Sequence, residues 1–514
     1  MILVRGVKMP AINTIEHCNA TRGESRANPE GRLNVTWRIE TWTRHAGASK
    51  TRVTKRGRPL KVSVKEGCII ICGIVAVAAS CKASTSTIKD GAAIEEAINM
   101  TLLDYSNQFI RKARTFTMTK PLQLLGILVA GLLAAGTAIA QDVIRIGAPL
   151  PITGPLSPEA VKQQRGYDLW AETANRAGGI RVGGKRMKVE IVYVDYQSNT
   201  PRAVQAAEKL ITQDKVNFLF SPFGSGAAKA ASSVSEKYQV PTIAATASSA
   251  QVYDQGYKYL FGTFTPNDTL TEPLSDMVRK QAAGVQRVAI LARNDLFPLA
   301  IAQEMEKSAK KRGMNVVSFE KYAIGTLDHA SALTQIKSQA PHWIFATGYT
   351  NDLILMRKQM GDLKIEAPVV TMIAAPAYQE WIDGTGKLSE NVTSAAWWHP
   401  AVRYKGKDLF GTTENYVKLF QAKYKVTPDY AEASASAAGA IFQLAIEKAG
   451  TIDKEKVRDA LASMNEMTFW GPVKFGPTGQ INSLEPPVFQ IQKGKPLVLH
   501  PQSIRQGELQ LGVK

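Results

Sequence analysis

The chain has 514 residues, a formal net charge of +19 at pH 7 and 45% hydrophobic residues, which is length for three or four domains of roughly 100–200 residues each. The charge is uneven: residues 1–117 hold 19 Lys and Arg against 9 Asp and Glu, while residues 141–514 hold 43 against 35. The later part is therefore only mildly basic, and it has no cluster of basic and aromatic residues of the kind a nucleic-acid partner needs.

In chain order, residues 1–117 read as a non-native or disordered N-terminal extension. Residues 51–65 are Lys- and Arg-rich, and the apolar run from Cys68 to Ser80 is shorter than the roughly 18 residues that cross a bilayer. Cys18, Cys68, Cys72 and Cys81 all lie in this part. Cys68 and Cys72 lack a second pair at ligand spacing, so they make no metal site. Ala78-Ala79-Ser80-Cys81 lacks the leucine of a lipoprotein cleavage box.

Residues 118–140 then carry the three parts of a secretory signal peptide. Lys120 is the basic lead, Leu122 to Ala135 the apolar run, and Ala138-Ile139-Ala140 the small-residue cleavage site. The working protein is expected to start at Met118 and mature at Gln141, which places it in the periplasm. A cysteine-free exported chain of this length buries a core without disulfides.

From Val143 onward short Val-, Ile- and Phe-rich runs alternate with stretches of three- and four-residue apolar spacing. Strands are expected at 143–148, 188–195, 218–221 and 242–245, with helices at 161–177, 203–214 and 227–238. Pro201 just inside a helix start and Gly178-Gly179 just past a helix end fit capping preferences. The alternation restarts with strands at 286–292, 315–322, 343–347 and 368–372 and helices at 300–312, 330–339 and 353–360. Helices at 411–424 and 431–449 follow, then strand and turn from Gly471 to Ile491. Two doubly wound units imply two α/β lobes, and ligands in such sheets bind beyond the carboxyl ends of the strands.

Other chemistries lack their residues. Gly224-Ser225-Gly226 has Lys229 where a dinucleotide fingerprint has its third glycine. Ser225 as a nucleophile has no paired base, since His329, His342, His399 and His500 stand in no catalytic motif. No metal-ligand spacing occurs either, so the chain reads as a non-enzyme without cofactors. Trp397-Trp398-His399 reads as a core pair at a domain crossover rather than a binding patch.

Several segments together resemble the periplasmic substrate-binding proteins of the branched-chain amino acid and amide ABC transporters. Ile144-Arg145-Ile146-Gly147-Ala148-Pro149-Leu150 with the loop to Pro155 matches the opening strand. Ala177-Gly178-Gly179-Ile180, Gly224-Ser225-Gly226, Tyr238-Gln239-Val240-Pro241, Pro428-Asp429-Tyr430-Ala431 and Gly471-Pro472-Val473-Lys474-Phe475 match later segments. The resemblance covers residues 142–495. It implies a type I periplasmic-binding fold, two Rossmann-like lobes joined by a three-stranded hinge. Lobe 1 would hold 142–262 and about 398–465, lobe 2 the residues 263–397 and about 466–514.

The resemblance also implies a function. The protein would capture a small carboxylate-bearing ligand (an amino acid, amide or aromatic acid) and deliver it to an ABC permease–ATPase complex of the inner membrane. A ligand-sensing domain for a membrane signalling partner, or an exported α/β hydrolase, are the alternatives. Gly224, Ser225 and Gly226 would hold the ligand carboxylate, at a strand end and helix N-terminus that offers free N–H groups. Ala247, Ser248 and Ser249 would form a second carboxylate loop, with Phe297 and Tyr349 as aromatic walls. Amino-acid binders of the family place a carboxylate near residues 368–376, where Thr371-Met372-Ile373-Ala374-Ala375 offers none. Glu159 stands in the first loop, where an aromatic side chain is usual. Either Glu159 serves the ligand ammonium or the ligand is not an α-amino acid.

Overall fold

A computed structural model of the chain describes residues 18–27, 33–41 and 143–513. The expected signal peptide at 118–140 and the remainder of 1–117 lie outside the described residues. Within the first of two compact units, residues 1–130, β1 (Cys18–Ala27) pairs antiparallel with β2 (Leu33–Thr41), with a bulge between Arg22 and Ser25. Leu33, Val35, Trp37 and Ile39 alternate with polar residues at the period of two that a strand requires.

The second unit, residues 131–514, begins with β3 (Val143–Leu150), whose Ile144, Ile146, Ala148 and Leu150 have no exposure. There follow α1 (Ser157–Arg176), β4 (Ile180–Val182), β5 (Lys185–Asp195), α2 (Thr200–Thr212), β6 (Phe218–Phe220), α3 (Ser225–Lys237), β7 (Thr242–Ala244) and β8 (Leu260–Gly262). These strands form a sheet of order β4-β5-β3-β6-β7-β8, parallel except for the β4–β5 hairpin. Pro201 falls in the first turn of α2, and Gly178 and Gly179 take φ of +97° and +98° after α1, as their spacing suggested.

The chain then crosses to a second lobe. It holds α4 (Asp268–Gln281), β9 (Arg287–Arg293), α5 (Leu296–Lys311), β10 (Asn315–Tyr322), α6 (Ala330–Ser338) and β11 (Trp343–Thr347). After these come α7 (Thr350–Asp362), β12 (Val369–Ile373), α8 (Gln379–Thr385) and β13 (Thr393–Ala395). It returns for α9 (Thr413–Tyr424), α10 (Tyr430–Ala449), α11 (Lys454–Ala462), β14 (Asn465–Thr468) and β15 (Gly471–Lys474). It ends in the second lobe with β16 (Val488–Gln492) and β17 (Lys495–His500). The second sheet has the order β10-β9-β11-β12-β13-β16-β17, parallel through β13 and antiparallel beyond.

Three segments, at 263–267, 396–412 and 482–487, connect the sheets. Neighbouring segments are tied where they cross. Trp397 Nε1 donates to the Thr265 carbonyl at 3.0 Å and Trp470 Nε1 to that of Thr263 at 3.3 Å. Gly262 bonds with Gly479 and Ile481, at 2.9 and 3.1 Å. Residues 479–481 therefore run along the edge of the first sheet, and the chain re-enters the second sheet at Val488.

Two expectations are corrected. The helix expected at 161–177 starts at Ser157, with Pro158 in its first turn, so Glu159 stands on a helix and not in a loop. The helix α4 was not expected, because Pro273 interrupts its pattern. Among the described residues no helix is long and apolar enough to cross a membrane.

The helix pair α1 and α10 aligns the cleft face of the first lobe. A Cβ on Gly166 would fall on the Glu432 carbonyl oxygen, and one on Gly439 would enter the Trp170 ring. Close approach at these two glycines fixes the height and rotation of α1. An exposed helix glycine gains about 0.5–1 kcal/mol on replacement by alanine. Gly166→Ala should instead lose about 1–3 kcal/mol by overpacking, measured by urea unfolding; a gain in stability would refute this packing account.

Candidate functional site

The cleft between the lobes is walled by residues at the C-terminal ends of strands on both sides, where open α/β sheets place their sites. From the first lobe come Glu159 on α1, Phe223 and Gly224 after β6, Thr246 and Ser248 after β7, and Tyr430 at the start of α10. From the second come Phe297 on α5, Tyr349 and Thr350 after β11, and Ala374 and Tyr378 after β12. Phe264 and Trp397 on the connecting segments floor it, and the space between the walls, open solvent included, is about 370 Å³.

The rings form a continuous arc. Phe223 meets Tyr349 edge-on at 5.5 Å, and Tyr349 and Trp397 lie 6.2 and 6.1 Å from Phe297. Trp397 stacks on Phe264 at 4.0 Å and lies 5.7 Å from Tyr430, which stacks on Tyr378 at 5.3 Å. Such an arc offers a large apolar surface with defined faces and edges. Among the described residues no Lys, Arg or His lines it. The Arg293 guanidinium lies over the Tyr349 ring at 4.9 Å and pairs with Asp352 at 2.7 Å.

One carboxyl interrupts the apolar wall. Glu159 is 2% exposed, and its Oε1 accepts the Thr350 N–H from the opposite lobe at 3.0 Å. Its Oε2 is buried without a partner among the described residues. Burial pushes this carboxyl above its ordinary range, opposed by the hydrogen bond from the Thr350 N–H. A buried carboxyl oxygen with nothing to bond is costly unless something else fills the need. The lobes also touch through Tyr378 Oη, which donates to Tyr430 Oη at 2.7 Å.

Of the residues expected from sequence, Glu159, Gly224, Ser248, Phe297 and Tyr349 come together on the cleft wall. Ser225, Gly226, Ala247 and Ser249 do not. Ser225 has no exposure, and its Oγ accepts the N–H groups of Ser248 and Ser249 at 3.3 and 3.2 Å, tying the two loops together from behind. Ala247 packs in a small apolar cluster with Ala228, Val252 and Leu260. Gly226 faces Asp295 across the seam. Gly224 has φ +80°, and a Cβ there would come 3.1 Å from Tyr349 Oη. That fits a glycine required both by backbone and by space.

Sequence reasoning missed Phe223, Thr246, Phe264, Thr350, Ala374, Tyr378, Trp397 and Tyr430. Trp397 was read with Trp398 as core. Trp398 is indeed 1% exposed inside, while Trp397 turns to the cleft. His399 is core as read, its Nδ1 accepting the Ala401 N–H at 3.1 Å and burial lowering its pKa to about 4. Ala374 holds φ +80° and ψ −65°, a conformation rare for a residue with a side chain.

Residues 143–495 match the sequence profile of a family described as periplasmic binding protein. "Leu/Ile/Val-binding protein homolog 7" of Brucella suis is 26% identical over 76% of this chain and 98% of its own length. A Pseudomonas aeruginosa protein named for binding leucine, isoleucine, valine, threonine and alanine is 25% identical over 73% and 98%. Among solved structures, a leucine binding protein from Thermotoga maritima superposes with a TM-score of 0.62 at 20% identity, covering 69% of this chain and 97% of its own. A solute binding protein from R. palustris in complex with benzoate gives 0.61 at 20% identity, covering 72% and 98%. These superpositions establish the type I periplasmic-binding fold.

The position of Ser225 yields a test. Ser225→Ala leaves two buried N–H groups without an acceptor, which should cost about 1–3 kcal/mol, read as a lowered melting temperature. An unchanged melting temperature would mean that Ser225 does not tie these loops.

Proposed function

The chain belongs to the periplasmic binding protein family, and from that premise we propose that it is the solute receptor of an ABC transporter. It is exported by the segment 118–140, captures a small carboxylate-bearing ligand between its lobes, and delivers that ligand to an inner-membrane permease–ATPase complex. The relatives named for branched-chain amino acids and the fold neighbour holding benzoate support this class of ligand.

The ligand's apolar body lies in the arc of rings. Its carboxylate meets Ser248 and the backbone around Gly224, without a cation, since none lines the cleft among the described residues. The single observation that carries the reading furthest is the buried, unpartnered Oε2 of Glu159. A ligand that fills this cleft supplies a hydrogen-bond donor there, either an ammonium or a hydroxyl. Binding acts by differential affinity for the closed state, because Glu159 and Tyr349 face their partners across the seam only when the lobes meet.

Paired ligands test this by thermal shift, since a ligand bound only to the folded state raises its stability by mass action. L-leucine against 4-methylpentanoate, and 4-hydroxybenzoate against benzoate, differ in the donor. In whichever pair binds, the donor-bearing member should bind at least about tenfold more tightly, a difference of roughly 1.4 kcal/mol. Glu159→Gln should narrow that gap. No shift with amino acids, amides, urea or aromatic acids would overturn the receptor reading, and equal affinities within a pair would overturn the role of Glu159.

A further inference from the structure

Lys162 follows Glu159 by three residues on α1 and so shares its face. Its side chain is 4% exposed, and its ammonium lies 2.8 Å from Asp429 Oδ2 and 2.8 Å from Glu380 Oε2. It also sits 4.4 Å over the ring of Tyr378. The two carboxylates belong to different lobes. Asp429 caps α10 in the first lobe, where its Oδ1 accepts the N–H groups of Ala431 and Glu432 at 2.8 and 3.3 Å. Glu380 stands in the first turn of α8 in the second lobe, with its side chain 51% exposed.

We propose that Lys162 and Glu380 form a latch that holds the lobes closed, separate from the ligand's own contacts. This rests on the reading of the cleft as a ligand site that closes. The Lys162–Asp429 pair lies within the first lobe and needs no closure, so the ammonium is already oriented before the lobes meet. Closure adds Glu380 to an ordered partner, which avoids most of the side-chain ordering that makes surface ion pairs weak. Tyr378, two residues before Glu380, brings its ring over the same ammonium and its hydroxyl to Tyr430, so the latch and the cleft wall move as one piece. Glu380 is a positioning residue: it does not line the cleft, and it favours the closed state whatever the ligand. Its gain therefore falls on the rate of ligand release more than on capture.

Removing Lys162 would strand Asp429 in a buried site and endanger the fold, so the variants are placed on Glu380. The Thr350 amide bonds Glu159 across the seam, and its hydrogen exchange in the ligand-free full chain reports closure without any ligand. Glu380→Gln should speed that exchange about fivefold, and wild type in about 1 M NaCl should move in the same direction because Glu380 is half-exposed and screened. Glu380→Lys, which sets like charges together, should speed it further. Amides within α10 should exchange as before, showing an intact fold. Unchanged Thr350 exchange in both variants, or a Thr350 amide unprotected in wild type, would overturn the latch. Failure of the receptor reading shows separately, as no solute raising the wild-type melting temperature.

Discussion

Two lobes that close on each other must bury polar groups at the seam, and every such group then needs a partner from the far side. Here the demand falls on one face of α1. Glu159 finds the Thr350 N–H with one oxygen, and Lys162 finds Glu380 beside its own lobe's Asp429. Both depend on the seating of α1 against α10, set by the close approach at Gly166 and Gly439. The small residues of α10, from Ala431 to Ala445, are buried almost throughout and let the two helices lie this near. Packing inside one lobe thus places the charged groups that meet the other.

The remaining oxygen of Glu159 gives the cleft its polarity. Seven aromatic rings and one carboxyl make a site that accepts an apolar body and asks for a donor at one point. Because burial raises the carboxyl's pKa, an empty closed cleft is easier to form when Glu159 is protonated. Its stability falls as pH rises above the ordinary carboxylate value of 4.5, where the open or unfolded chain ionises and the closed one resists. A ligand ammonium would reverse that cost, and a hydroxyl would offset part of it.

Much of the fold was legible in the sequence, because alternating β-branched runs and helical periodicity are local signals. The strands at Val143–Leu150, Asn315–Tyr322 and Trp343–Thr347 fall where the pattern put them, give or take two residues. Elements of three residues, such as Leu260–Gly262 and Thr393–Ala395, are too short to carry a period. The site was legible only in part. Gly224 and Ser248 lie in turns that segment resemblance marks, and Glu159 stood out as a charge where an aromatic was usual. Tyr378, Trp397 and Tyr430 carry no such mark: a ring facing a cleft and a ring facing a core have the same local pattern. Ser225 carries no distinguishing mark for a similar reason, since a serine that tethers two loops and one that touches a ligand occupy the same turn.

A small acid bound between the lobes is held by both of them. Hydrogen exchange with and without saturating L-leucine or 4-hydroxybenzoate, whichever raises the melting temperature, tests it most directly. Joint protection is expected of residues 223–226 and 246–249 in the first lobe and 349–352 and 374–378 in the second. Protection confined to one lobe, or centred on a separate pocket lined by Tyr253 and Phe261, would refute this.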